Sequence, residues 1–520
     1  MNPSLAMALL VLLPLTAAAL AFVWPRAGRW LGRATVALAA LGVARLAKEV
    51  MGREGLVHRV GGWGAPLGID LRADGLAALM LALTTIMGLA AVLYAPSYFS
   101  AHQQGRNPPA PPGCPPGRDG ATETKLAGTD SGLSERWFWP LFLFLWASLN
   151  ALFLSGDIFN LYVTLELLGF SAVALVALGG GRDALAAAMR YLLTSLAASL
   201  FYLLGVALVY GQCGTVDLSL LADQAEPTPA LWTALILMTC GLAAKAALFP
   251  LHFWLPAAHS NAPAPVSALL SALVVKGAFY ILLRLWFQAF AELRAPGLMQ
   301  ALGGLGAAAV LWGAARALRQ NRLKLLVAYS TVAQLGYLFL VFPLVVSAAT
   351  GLGAWTGALL FLAAHACAKT AMFLAAGNII QAAGHDRLPE LDGIGRALPV
   401  SAFAIGLAGI SLVGLPPSGG FVGKWLLLNA SLSQGQWWWV AVILAGSLLA
   451  AGYLLRVLNH AFVEAPRAAV FQPAPPVMEW TAFGFALLAV LLGLGAGWPA
   501  ELLRAGAPVA GPLLTGGGAP

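Results

Sequence analysis

The chain has 520 residues, 60% of them hydrophobic and only 10% charged. Ordinary soluble domains carry about 25% charge. So few charges cannot coat so much apolar surface, which excludes a soluble enzyme, a nucleic-acid binder, a disordered chain and a disulfide scaffold, and leaves an all-α polytopic membrane protein. The formal net charge of +8 fits, because excess Lys and Arg mark cytoplasmic loops. Cys114, Cys213, Cys240 and Cys367 are too scattered for a metal motif or a disulfide framework.

A membrane-spanning helix needs about 20 mainly apolar residues. In chain order, 14 windows qualify: 3–24, 31–50, 73–96, 137–155, 158–180, 186–211, 230–250, 262–287, 298–318, 323–348, 352–381, 397–430, 437–462 and 479–501. The first has no basic residue before its apolar run and Arg26 after it. A secretory signal has the reverse order, so a retained helix is expected. Residues 60–74 (VGGWGAPLGIDLRAD) read as a turn or short hairpin on the outer face. Residues 102–134 are polar, with six prolines between Pro108 and Pro116. They read as a flexible, dispensable cytoplasmic loop. The resulting division is 1–101 with helices 1–3, the loop at 102–136, a five-helix unit at 137–287, a second at 298–462, and a last helix and tail at 463–520.

An even number of spans puts both termini on one side. With both outside, the inner loops hold 17 Lys and Arg and the outer loops and adjoining helix ends seven. That bias predicts both termini outside a cell membrane, with the lipid bilayer as one partner.

The chain has 22 arginines and seven lysines, yet the cations placed within spans are Lys245, Lys276, Lys369 and Lys424. A buried lysine can release its proton, whereas arginine stays charged. Glu166 is the one carboxylate deep in a span. Ionisable groups at such depth are expensive and are functional candidates. Residues four apart share a helix face. This places His365 beside Lys369, Tyr162 beside Glu166, Tyr280 beside Lys276, and Ser330 beside Gln334, a set able to hold a chain of waters. A lone helical histidine is usually structural, but His365 lies one turn from a lysine.

Two spans are interrupted. The seventh has Lys245 just before Phe249-Pro250, with His252 and His259 flanking the broken stretch PLHFWLPAAH. The twelfth has GLPPSGG, with Pro416 and Pro417, just before Lys424. Proline removes a backbone donor and breaks the helix. Irregular backbone at membrane depth is tolerated where it lines a protein-buried or wet cavity. Spans 4–8 and 9–13 are five helices each, and the break is in the fourth helix of each set. An odd count inverts the second set, so two inverted five-helix repeats are expected.

The stretches LSGDIFNLYVTLELLGF (154–170), KAALFPLHFWLPAAHSNAPAPVSALLSALVVKGAFYIL (245–282), NRLKLLVAYSTVAQLGY (321–337), HACAKTAMFLAAGNI (365–379) and GISLVGLPPSGGFVGKW (409–425) resemble the antiporter-like membrane subunits. That family includes the proton-pumping subunits of respiratory complex I, the large subunits of Mrp-type sodium/proton antiporters and subunits of membrane-bound hydrogenases. The hairpin GGWGAPLGI and the wording GDIFNLYVTLE look most like the Mrp D-type member. The resemblance implies that Glu166 pairs with Lys245 and that Lys276 passes protons toward the centre. It further implies that His365 and Lys369 form the central relay and that Lys424 is the terminal group. Asp157, within the first motif, is a supporting residue.

The expected function is therefore a proton-translocating subunit of a multisubunit membrane complex, with other membrane subunits as partners and soluble redox subunits as further ones. No dinucleotide fingerprint, iron–sulfur cysteine cluster or haem motif is present in the sequence. The chain is therefore expected to carry no cofactor, no metal and no redox centre of its own. The alternatives are a cation/proton antiporter subunit without redox coupling, a proton-coupled bicarbonate-uptake subunit with a soluble zinc partner, and a structural membrane anchor.

Overall fold

The computed structural model describes residues 3–53, 55–103, 131–347, 350–463 and 471–508. Most of the proposed 102–136 loop and the end of the tail lie outside the described residues. The long helices are α1 (Pro3–Val23), α2 (Gly28–Val50), α3 (Gly75–Gln103), α4 (Ser131–Leu154), α5 (Ile158–Ala177) and α6 (Gly181–Cys213). They continue with α7a (Pro229–Lys245), α7b (Leu255–Asn261), α8 (Ala264–Ala289), α9 (Pro296–Leu318), α10 (Leu323–Leu338) and α11 (Gly351–Ala383). The last are α12a (Pro399–Val413), α12b (Gly419–Ser433), α13 (Trp437–Phe462) and α14 (Pro476–Leu494).

Among the described residues, 12 helices are long and apolar enough to cross a membrane. The windows at 230–250 and 397–430 are the two missing from that set. Their continuous helices, Pro229–Lys245 and Pro399–Val413, are shorter because the Phe249-Pro250 and GLPPSGG segments stop them, as the proline content predicts. Gly414 caps α12a at φ +87°, a conformation that suits glycine because it lacks Cβ. The Ser418 hydroxyl then starts α12b by accepting from the Phe421 N–H at 3.2 Å.

The best apolar stretches of α8 and α11 are entirely buried within the protein. A helix apolar on every side belongs in such a position, and these two carry Lys276, His365 and Lys369. Small residues let neighbours approach closely. On α9 and α10, a Cβ on Gly306 would lie 2.6 Å from the Gly336 carbonyl.

The hairpin is present, with strands β1 (Leu56–Arg59) and β2 (Asp70–Ala73) pairing antiparallel. It begins four residues before the predicted segment. β2 also takes up the chain between α4 and α5, where the Gly156 N–H donates to the Asp70 carbonyl at 2.9 Å. That chain in turn bridges the segment after α6 through Asp157 and Asp217. A matching bridge joins Arg322, before α10, to Arg387, after α11.

Two cations are enclosed although the charge count takes Arg284 with the outer loops and adjoining helix ends and Lys324 with the inner loops. Arg284 lies inside α8 and is buried. Its guanidinium holds Asp74 in a fork, with Nη2 2.6 Å from Oδ1. Lys324, in the first turn of α10, is buried and donates to the Ala262 carbonyl. Intramembrane cations therefore include an arginine, and removing both residues from the loop counts leaves the charge bias intact. Breaking a buried pair leaves one charge uncompensated. Asp74→Ala is expected to destabilise the protein by about 3–5 kcal/mol, read as a lower thermal midpoint in detergent. Asp74→Leu combined with Arg284→Leu should restore most of it, and no recovery would show that the pair does more than neutralise charge.

Candidate functional site

Lys245 ends α7a, and its ammonium reaches across to α5. Nζ is 3.0 Å from Glu166 Oε1 and donates to Ser195 Oγ at 2.8 Å. Ser199 donates to the same carboxylate oxygen of Glu166. Ser195 and Ser199 are one turn apart on α6, so a third helix completes the pair's polar shell. One turn earlier, Tyr191 stacks on Trp254 with ring centroids 4.2 Å apart. The Trp254 indole donates to the Ala244 carbonyl at 2.9 Å, fixing the break beside the lysine. Beyond Lys245, Ala247 takes φ +53°, the one non-glycine residue with positive φ among the described residues.

Lys276 is fully buried on α8. Its ammonium donates to the carbonyls of Ser271 at 2.9 Å and Ala272 at 2.8 Å. The turn at Leu270–Val274 is π-helical. A π turn shifts the backbone ladder from i+4 to i+5 and exposes carbonyls within a helix, a frequent device at functional sites. Nothing in the apolar sequence LSALV announces it. The Ser271 hydroxyl is 3.0 Å from that of Thr331 on α10. Thr331 donates to the Val327 carbonyl at 3.1 Å, which also accepts from Lys369 Nζ at 3.1 Å. Lys369 donates to Ser330 as well. Ser271 thus meets Lys276 with its carbonyl and Thr331 with its hydroxyl, while Thr331 and Lys369 share the Val327 carbonyl as acceptor.

Among the described residues, His365 and His259 are buried with no hydrogen-bond partner on either ring nitrogen. His365 faces Phe361, and His259 meets the edge of Phe373. Buried polar atoms of this kind are where ordered water belongs.

Lys424 on α12b takes the end of the other broken helix. Its ammonium donates to the Leu412 and Val413 carbonyls at 2.8 and 3.2 Å and to Ser447 Oγ at 3.0 Å. It lies 4.3 Å from the centre of the Tyr337 ring. The last carbonyls of a helix carry its partial negative charge, so a cation is favoured there.

The supporting residues divide. Ser330 stands with Lys369, while Gln334 donates to the Tyr453 hydroxyl at 3.1 Å and is joined to neither lysine. Tyr280 turns from Lys276, donating to the Phe153 carbonyl at 2.6 Å and accepting from Arg284 at 3.0 Å. Tyr162 packs on Phe159. Asp157 caps α5 by accepting from the Asn160 N–H at 2.6 Å. His252 stacks on Phe249 in the first break. Pro250, Pro416 and Pro417 lie in the two breaks. Sequence reasoning missed Ser195, Ser199, Ser271, Thr331 and Ser447. The signal available was helical spacing alone, as for Ser195 and Ser199. Among the described residues, no group of three or more His, Cys, Asp and Glu side chains could hold a metal ion.

With that geometry in view, the family described as NADH:quinone oxidoreductase/Mrp antiporter, TM, matches residues 155–450. The chain belongs to this family. It is 37% identical over 451 residues to the NADH-quinone oxidoreductase subunit N of Desulforudis audaxviator, covering 85% of this chain and 83% of that one. It is 29% identical over 418 residues to the D-type subunit of the Na(+)/H(+) antiporter of Alkalihalophilus pseudofirmus, covering 78% and 76%. A chain of the Mrp complex from Dietzia sp. superimposes with a TM-score of 0.84 at 24% identity, covering 98% of each, a likeness of fold. As a member of the NADH:quinone oxidoreductase/Mrp antiporter family, this chain carries Glu166, Lys245, Lys276, His365, Lys369 and Lys424 inside the matched segment.

Proposed function

We propose that the chain is a proton-translocating subunit of a multisubunit membrane complex, and that its relay is the buried Glu/Lys/His series. The observation that carries the reading is the Lys245–Glu166 pair at 3.0 Å, set against a broken helix. In the resting state the carboxylate holds the ammonium. When the pair loosens, the proton moves toward Lys276. The Ser271–Thr331 contact supports onward transfer to Lys369, with water at His365 and His259 completing the path, and Lys424 gates the far exit.

Two inverted repeats, 137–287 and 298–462, account for the arrangement. Each set has its break in the fourth helix. In each set the start of the second helix is bridged to the end of the third, by Asp157–Asp217 and by Arg322–Arg387. Redox chemistry, where the complex has any, belongs to soluble partner subunits. Relatives named as subunits of NADH-quinone oxidoreductase support that form. A second reading, an antiporter subunit without redox coupling, is favoured by the likeness to the D-type antiporter chain over 78% of this one. Identifying the subunits that co-purify separates the two. Quinone-reductase or hydrogenase subunits are expected on the first reading, small antiporter subunits on the second.

Both termini are proposed to face outside, from the loop charge bias. The test uses Thr515→Cys and Gln320→Cys, each in a background lacking the native cysteines, with a membrane-impermeant thiol reagent on intact cells. Thr515→Cys is expected to label and Gln320→Cys is not. The opposite pattern overturns the orientation.

A further inference from the structure

We propose that the corner formed by α1, α2 and α4 binds the phosphate headgroup of an anionic glycerophospholipid. A cavity of about 730 Å³ there is lined by Arg26, Arg29, Trp30, Glu135, Arg136 and Trp139. Arg29 is occupied by Glu135, with Nη2 2.6 Å from Oε1. Arg26 and Arg136 make no hydrogen bond or ion pair among the described residues, and Arg136 leans on the Trp137 ring at 5.4 Å. Two guanidinium groups in one cavity are therefore without a carboxylate partner among the described residues. Trp139 also lines the cavity, and its buried indole N–H has no acceptor among the described residues.

The surroundings choose a lipid over a free anion. Trp24 and Trp30, beside the cavity, are 67% and 68% exposed, and Phe22 and Val23, at the end of α1, are 61% and 69% exposed. This is the end of a membrane helix, where tryptophans sit at headgroup level and the apolar side chains below them face acyl chains. Guanidinium forks match phosphate oxygens in geometry as well as charge. A phosphodiester would take Arg26 and Arg136, and its acyl chains would run along α1.

The test is native mass spectrometry of the delipidated protein, within its complex where one co-purifies. It is offered equal amounts of phosphatidylglycerol, cardiolipin and phosphatidylcholine. Wild type is expected to retain the anionic lipids selectively. Arg26→Gln with Arg136→Gln should weaken that retention about thirtyfold, since each basic group near a membrane surface is worth about fivefold in affinity. Arg53→Gln, outside the cavity, should change nothing. Millimolar inorganic phosphate should not displace the lipid; displacement would make the site one for free phosphate. Should the double variant not be recovered, bromine-labelled acyl chains decide with wild type alone: brominated phosphatidylglycerol must quench tryptophan fluorescence more than brominated phosphatidylcholine. Equal quenching, unselective retention, or selectivity gained only after residues 104–130 are deleted would each overturn the proposal.

Discussion

Lys245→Arg is expected to abolish proton transfer as completely as Lys245→Ala, although it keeps the charge. The lysine ammonium reaches Glu166 Oε1 at 3.0 Å and Ser195 Oγ at 2.8 Å. A guanidinium could occupy the same place and keep the ion pair, but it does not release its proton at any accessible pH. A relay group must take and give a proton, and such groups contribute roughly 10²–10⁴-fold to a transfer step. Transport by both variants should therefore fall by about a hundredfold or more. Glu166→Gln removes the counter-charge of a buried ammonium, an unfavourable arrangement, and should uncouple transfer while the protein still inserts. Glu166→Asp keeps the charge but withdraws it by one methylene, and should retain part of the activity. The measurement is acidification of inverted vesicles followed by a fluorescent dye, at protein levels matched by immunoblot. If the pair were only structural, Lys245→Arg would be tolerated better than Lys245→Ala. Full transport by Lys245→Arg would refute the claim that this lysine must give up its proton.

Lys369→Gln is expected to have an effect of similar size, and Thr331→Val a smaller one that reports the route. Lys369 is fully buried and donates to the Val327 carbonyl at 3.1 Å. The Thr331 hydroxyl shares that acceptor and lies 3.0 Å from the hydroxyl of Ser271, the residue whose carbonyl holds Lys276. Valine removes the threonine hydroxyl and leaves nearly the same volume. The expected result is a roughly tenfold slowing with Lys369 intact, less than the roughly 10²–10⁴-fold of a group that itself takes and gives the proton, because the hydroxyl only supports the route. Thr331→Ser, which keeps the hydroxyl, should recover most of the rate. Equal rates for Thr331→Val and wild type would mean that protons cross from Lys276 to Lys369 by water alone.

The sequence by itself determined the class of protein, most of its spans and the six ionisable groups of the proposed relay. The physical reason is cost. An apolar run of about 20 residues has few other uses, and a lysine or glutamate within one is too expensive to be ornamental. The two breaks were legible for the same kind of reason, since Pro250 and the Gly414–Gly420 stretch cannot continue a helix. Tertiary structure decided which side chains serve those groups. Ser195, Ser199, Ser271, Thr331 and Ser447 are ordinary residues for a membrane helix, and their roles come from helices distant in sequence. Lys245 and Ser195 are 50 residues apart, and Lys369 and Ser330 are 39. Arg284 stands near the outer end of the 262–287 window, and only packing shows it enclosed and paired. Its partner Asp74 lies 210 residues earlier. Tyr280 shares a face with Lys276, yet its hydroxyl goes to the Phe153 carbonyl, 127 residues away. Helical spacing says which side chains share a face, but a partner supplied by another helix is fixed only when the helices pack.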